Sequence, residues 1–311
     1  MKYVKITVAV MIIGALGYIY LYIPTTLKIS TFKVANAYEM TVTRVINDST
    51  LLNKSMSTFM DNPQHKIIAN GITFIIKPAL SNIVEIEIAS KNIKTKSFLT
   101  ANDVTKETTA LNWFLEFKTN WNPIQRIKDY QEALAIKNAT TLLLNNISAF
   151  VEQPKNIYGF DIKEVTLQDT VLITSKFISK QHPTNDQIYK EAAALNSYLS
   201  GFQKKPLNNP MVTILENPTN DFTVMVGISI NGEIPETSNF RIKKMPVNGK
   251  MFVGEITGGT TTILKSYDAL KTFLLDSKRP SPAVPFELLI NDRKQVSDSS
   301  QWKTRIYYPV M

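Results

Sequence analysis

Phe222-Thr223-Val224-Met225-Val226-Gly227-Ile228-Ser229-Ile230 alternates from end to end, with every even-numbered position apolar. Successive side chains of an extended strand point to opposite faces, so one face of this strand belongs to a core. The chain around it falls into two similar runs. The first passes from Phe160 through a strand at 171–177, a helix at 185–200 and two strands at 211–215 and 222–230. The second has strands near 239–245 and 251–256, a helix at 261–275 and strands at 284–290 and 303–308. Two strand-helix-strand-strand units predict a pseudo-twofold domain over residues 152–311, with a cleft where the halves meet.

The strand at 284–290 carries the residue with the most chemistry. Phe286, Leu288 and Ile290 share one face, and Pro285, Glu287 and Leu289 the other, so both faces are largely apolar and one carboxylate sits between them. A buried acid without a partner is costly, so it either takes up a proton or finds a cation. Held among aromatic walls, it suits a flat cationic ligand; the alternative is an internal salt bridge. Tyr267 lies on the helical stripe Ile263, Tyr267, Leu270, Leu274, which faces the sheet. Tyr267, Phe222, Phe240 and Tyr308 are candidate pocket walls and equally ordinary core residues. Glu255 is a candidate second acid or an exposed one. Gly258-Gly259-Thr260-Thr261 lacks the spacing of nucleotide-binding loops and reads as a turn and helix cap.

Upstream, residues 28–151 read as strands at 28–34, 67–76, 83–89, 97–100 and 108–118, followed by a long helix from Ile124 to Val151 without Pro or Gly. The segment 35–62 is short and polar. Residues 1–27 form the remaining part. Ile6 to Ile23 carries no charge and follows Lys2 and Lys5, with Tyr18, Tyr20 and Tyr22 crowded at its far end. That run spans a bilayer core as a helix, and its tyrosines suit the interface. No small-residue cleavage site follows it directly, so an uncleaved anchor is expected, with a cleaved signal as the alternative. The lysines at the start predict a single-pass membrane protein with its globular part on the extracytoplasmic side.

Composition narrows the function classes. The net charge is +9, yet the cations form no run, and neither a helix-turn-helix nor a zinc-finger spacing is present, so no nucleic-acid partner is expected. Without cysteine there is no thiolate chemistry or disulfide. His65 and His182 each stand alone in polar, turn-like stretches, which gives neither a metal site nor a catalytic triad, and no cofactor is expected.

Residues 152–311 resemble the GyrI-like family, the effector-binding domains of AraC-type and multidrug-responsive regulators. The matching stretches run in family order: Met211 to Pro218, Phe222 to Ile230 with Gly227, Met245-Pro246 with Gly249-Lys250, Gly258 before the helix bearing Tyr267 and Leu270, Pro285-Phe286-Glu287-Leu288, and Tyr307-Tyr308-Pro309-Val310. The resemblance implies that Glu287 is the acid at the centre of a pocket for cationic amphiphiles. Residues 28–151 resemble, by order of elements and by Leu111-Asn112-Trp113-Phe114-Leu115 before the long helix, the START-like or SRPBCC helix-grip fold, in which a curved antiparallel sheet wraps a long helix. The expected class is therefore α+β: an N-terminal transmembrane helix, a helix-grip (SRPBCC-like) domain and a pseudo-twofold GyrI-like domain. The expected function is a membrane-anchored small-molecule binding protein for an apolar or cationic ligand. Two alternatives stand beside it, a small-molecule hydrolase using Glu287 and Tyr267, and a structural envelope interaction protein.

Overall fold

The computed structural model describes residues 2–56, 60–62, 66–77, 83–167 and 171–311. It is an α+β chain with two antiparallel sheets. Two compact units divide it, Met1–Gln153 and Pro154–Met311. His65 lies outside the described residues.

The first unit opens with α1 (Lys2–Tyr22), an exposed apolar helix, followed by β1 (Thr26–Ala35). Then come α2 (Glu39–Asn47), α3 (Ser49–Ser55), β2 (Met60–Asn62), β3 (Lys66–Ala69), β4 (Ile72–Ile76), β5 (Ile83–Ala89), β6 (Lys94–Thr105), β7 (Thr108–Lys118) and α4 (Pro123–Val151). The seven strands form one sheet in the order β1-β7-β6-β5-β4-β3-β2. Asn122 caps α4 by accepting from the amides of Ile124 and Gln125, and Pro123 stands where a helix has no amide bond to lose. The buried stripe Ala133, Ile136, Thr140, Leu143, Ile147 and Val151 lays α4 against β1 and β7. Trp113 is fully buried; its indole donates to Ser97 Oγ at 3.0 Å, which in turn donates to the Ile86 carbonyl at 2.8 Å. The only polar atom of that ring is thereby satisfied in the core.

One expectation is corrected in this unit. Residues 67–76 are not one strand but the hairpin β3–β4, because Asn70 (φ 53°) and Gly71 (φ +75°) make the two-residue turn that Asn-Gly favours. The segment 35–62 holds α2 and α3, which bury Val42, Val45, Ile46 and Leu52; Asp48 caps α3 through the amides of Thr50 and Leu51.

The second unit contains α5 (Pro154–Tyr158), β8 (Ile162–Thr166), β9 (Val171–Ser179), α6 (Asn185–Gly201), β10 (Met211–Glu216), β11 (Phe222–Ser229), β12 (Arg241–Lys244), β13 (Lys250–Thr257), α7 (Thr260–Asp276), β14 (Phe286–Leu289) and β15 (Lys303–Val310). Eight strands form one sheet in the order β12-β9-β11-β10-β14-β15-β13-β8. Within it, β9-α6-β10-β11 and β13-α7-β14-β15 repeat the same arrangement, each first strand pairing with its unit's last. The two repeats meet through β10 and β14. The edge strands exchange sides relative to the sequence reading: β12 extends the first repeat beside β9, whereas β8 extends the second beside β13.

Thr184 and Gln187 form a reciprocal capping box that starts α6, whose Ile188, Ala192, Leu195 and Leu199 pack on Val224, Val226 and Ile228 of β11. Ile263 and Leu270 of α7 pack on Ile256 and Ile306. The even-numbered positions of β11 are therefore the helix-covered face. Gly227, on the other face, lies so close to Thr174 that a Cβ would come within 3.3 Å of its methyl group.

Candidate functional site

The two faces of the second sheet carry two different candidate sites. On the helix-covered face, Glu287 of β14 is 6% exposed, and Arg293, from the β14–β15 connection, is 7% exposed. Arg293 Nη2 donates to Glu287 Oε2 at 3.2 Å and to Thr304 Oγ1 at 2.6 Å. The Arg293 guanidinium lies 5.1 Å from the Trp302 ring centroid, and its backbone amide donates to the Tyr189 hydroxyl at 2.9 Å. The chain turns back six residues after Glu287 and supplies a cation of its own, the internal salt bridge that stood as the alternative.

Burial raises the Glu287 carboxyl above its usual range, with Arg293, then His182 and the Tyr267 hydrogen bond, pulling it back only in part. Burial, and next the charge of the neighbouring Glu287, push Tyr267 well above the ordinary tyrosine range, so its hydroxyl keeps its proton. Glu287 is therefore paired with Arg293 of the chain itself and has Tyr267 as a neighbour.

Tyr267, the neighbour of Glu287, and Tyr308 both pack with the α7 cluster. Phe222 and Phe240 lie instead in the α6 cluster, Phe222 edge-on to the half-buried His182 at 5.8 Å and Phe240 against Tyr198 at 5.0 Å. Three of the five candidates thus come together and two stand apart. Glu255 is exposed and pairs with Arg305 at 2.8 Å across the β13–β15 ladder. Gly258-Gly259 forms the turn before α7, with Gly259 at the cap position.

A groove of about 1120 Å³ has its floor on the helix-free face and is bounded by residues of α5 and α7. Alternation along the strands builds it: Val253 on β13, Tyr307 on β15, Leu288 on β14 and Met211 on β10 all point this way, joined by Val165 and Leu167. Phe286 stacks on Tyr307 with ring centroids 4.9 Å apart, which holds the tyrosine flat. Lys155, Lys163 and Lys265 also line the groove and make no ion pair among the described residues, while Arg305 is neutralised by Glu255 and one further acid, Asp161, is present. The outcome is an apolar floor with an excess of cations around it. Apolar walls with a few charged groups are what small-molecule sites are made of.

None of Glu287, Tyr267, Phe222, Phe240 and Tyr308 lines this groove. Of its residues, Lys163 and Val165 share a strand face in the sequence, but nothing local connects them to Lys265 or Tyr307. The groove comes from sheet pairing.

No protein-family model matches the chain, and no curated protein is significantly similar to it. Among solved structures, the chain is similar to the C-terminal domain of EcmrR, at 14% identity over 49% of this chain and 98% of that one, with a TM-score of 0.40. It is similar to SAV2435 bound to tetraphenylphosphonium, at 12% identity over 49% and 94%, with a TM-score of 0.33. It is also similar to a hydrolase from Listeria innocua, at 8% identity over 48% and 91%, with a TM-score of 0.37. At such identities and scores these likenesses say nothing about activity, and the functional reading rests on the site.

Proposed function

We propose that residues 154–311 form a small-molecule-binding module, held at a membrane by α1, whose ligand is an amphiphile with an anionic group. The observation that carries this reading is the groove lined by Lys155 of α5, Lys163 of β8 and Lys265 of α7, without an ion pair among the described residues, together with Val165, Met211, Val253, Leu288 and Tyr307. An apolar body laid along that floor loses water at about 25 cal/mol per Å² of apolar area. The lysines favour an anion at its end and disfavour a cation.

The other charged site argues against a cationic ligand. Glu287 already has Arg293 and Tyr267, so an external cation gains its charge only by displacing a buried guanidinium. Hydrolysis would require Glu287 to act as a base while its Oε2 is held by Arg293.

The test is a titration of a dansyl-labelled fatty acid into the wild-type chain and the Lys163→Glu/Lys265→Glu variant. Saturable binding by the wild type, weakened about tenfold in the variant, is expected, tenfold being about 1.4 kcal/mol. Equal affinity in both, or no saturation in either, overturns the reading.

A further inference from the structure

The end of α1 does not simply lead into the first unit; it is clamped to it. Arg126, 3% exposed on the first turns of α4, donates through Nε to the Ile23 carbonyl at 2.9 Å, and its second donor, Nη2, reaches the same oxygen. That carbonyl belongs to the residue just past α1, where helix carbonyls lack partners and a cation is favoured. The Arg126 guanidinium also lies 4.9 Å from the Tyr20 ring centroid. The Tyr20 hydroxyl donates to the Trp121 carbonyl, its ring lies 5.7 Å from the Trp121 ring, and Tyr22 meets Tyr130 edge-on at 6.1 Å. Thr119 completes the joint by donating its hydroxyl to the Pro24 carbonyl at 3.0 Å. The connection between β7 and α4, residues 119–122, is thereby fixed beside the last turn of α1.

What that connection shows to solvent is apolar. Trp121 is 82% exposed and Ile124, on the first turn of α4, is 67% exposed. Ile127 is also exposed one turn on, followed by the exposed Lys128 and Gln131. An indole left in water beside the end of a helix apolar enough to cross a bilayer is the arrangement seen at membrane interfaces, where amphipathic rings sit at headgroup level. A large exposed apolar group is costly without a partner, and the patch is continuous with the apolar surface of α1.

We infer that Trp121 and Ile124 form a second membrane contact, a shallow wedge that seats the first unit on the headgroup–acyl boundary in a fixed orientation. Arg126 is the residue that holds the wedge and α1 together. This rests on the reading of α1 as a membrane span.

The experiment uses the full chain reconstituted into phosphatidylcholine–phosphatidylglycerol vesicles whose acyl chains carry bromine at a shallow or a deep position. The Trp121 signal is the difference in tryptophan fluorescence between the wild type and Trp121→Phe. Quenching of that difference signal, at least twofold stronger by shallow than by deep bromine, is expected. A chain that floats with the vesicles while its Trp121 signal stays unquenched overturns the wedge and leaves the span. A chain that does not float at all overturns the span, and the wedge with it.

Discussion

Arg293 and Glu287 are six residues apart in sequence and meet as a buried pair, with Nη2 to Oε2 at 3.2 Å and the guanidinium held over Trp302. The strand end at Leu289 and the 3-10 turn at Ser299–Gln301 frame the connection that brings Arg293 back over its own strand. A planar cation, an acid and an aromatic ring are what the sequence suggests for ligand recognition at Glu287; the chain assembles all three from itself. Desolvating both charges cancels much of their attraction, so the pair fixes a conformation more than it adds net stability.

Removing one partner is therefore expected to cost more than removing both. Arg293→Met should lower the unfolding free energy by about 3–5 kcal/mol, because Glu287 is left buried and uncompensated. Glu287→Gln/Arg293→Met should recover a large part of that loss. Urea unfolding of the two single variants and the double variant measures both; additive losses contradict the pairing.

The pH dependence has a defined sign. Burial raises the Glu287 carboxyl above its ordinary value near 4.5. A carboxyl whose folded pKa lies above its unfolded one holds its proton more tightly in the fold. Its contribution is complete below the unfolded pKa and is lost as pH rises through the folded value. The stability of the wild type relative to Glu287→Gln should thus improve as pH falls from neutrality towards 4.5, as followed by thermal unfolding in a pH series. A difference that improves with rising pH contradicts the raised pKa.

Gly71 holds φ +75°, and a Cβ there would meet nothing within 4 Å, so the cost of Gly71→Ala is backbone strain alone. About 1–2 kcal/mol of destabilisation is expected, the usual cost of the left-handed region for an L-residue. Chemical denaturation checks it, and a neutral result contradicts the hairpin.

Gly254 lies under Phe160, where a Cβ would come within 2.4 Å of the ring; Phe160 also lines the groove. Gly254→Ala must move that ring. A loss of about 1–3 kcal/mol is expected from overpacking, together with weaker binding of the dansyl fatty acid. Unchanged stability and unchanged affinity would show that Phe160 does not shape the groove.

Local signals in the sequence are enough for the elements that have strong periodicity or caps. The alternation of β11 marks the helix-covered face that the structure buries at Val224, Val226 and Ile228, and the break at Asn122-Pro123 marks the start of α4. Two further signals are legible only once the structure is known: Asn70-Gly71 is a hairpin turn, and Asp48 is a cap with Val42, Val45 and Ile46 at helical spacing before it. The pairing of β12 with β9 and of β8 with β13 has no local signature, since register is set by tertiary packing. Arg293 is invisible as a partner for the same reason. The groove is hidden because the residues that build it, from Lys155 to Tyr307, are collected by the sheet from five strands and two helices, while the aromatic candidates legible in the sequence belong to the helix-covered face.

The central claim is that the groove beside β8 and β13 takes an apolar body with a negative end. The most direct measurement is calorimetric titration of the full chain with decyl sulfate and, separately, with decyltrimethylammonium, both kept below their micelle-forming concentrations, so that only the sign of the head group differs. One saturable site for the sulfate, with affinity at least tenfold above that for the ammonium, is the predicted result. Tighter binding of the ammonium, or heats that never saturate for either, would contradict it.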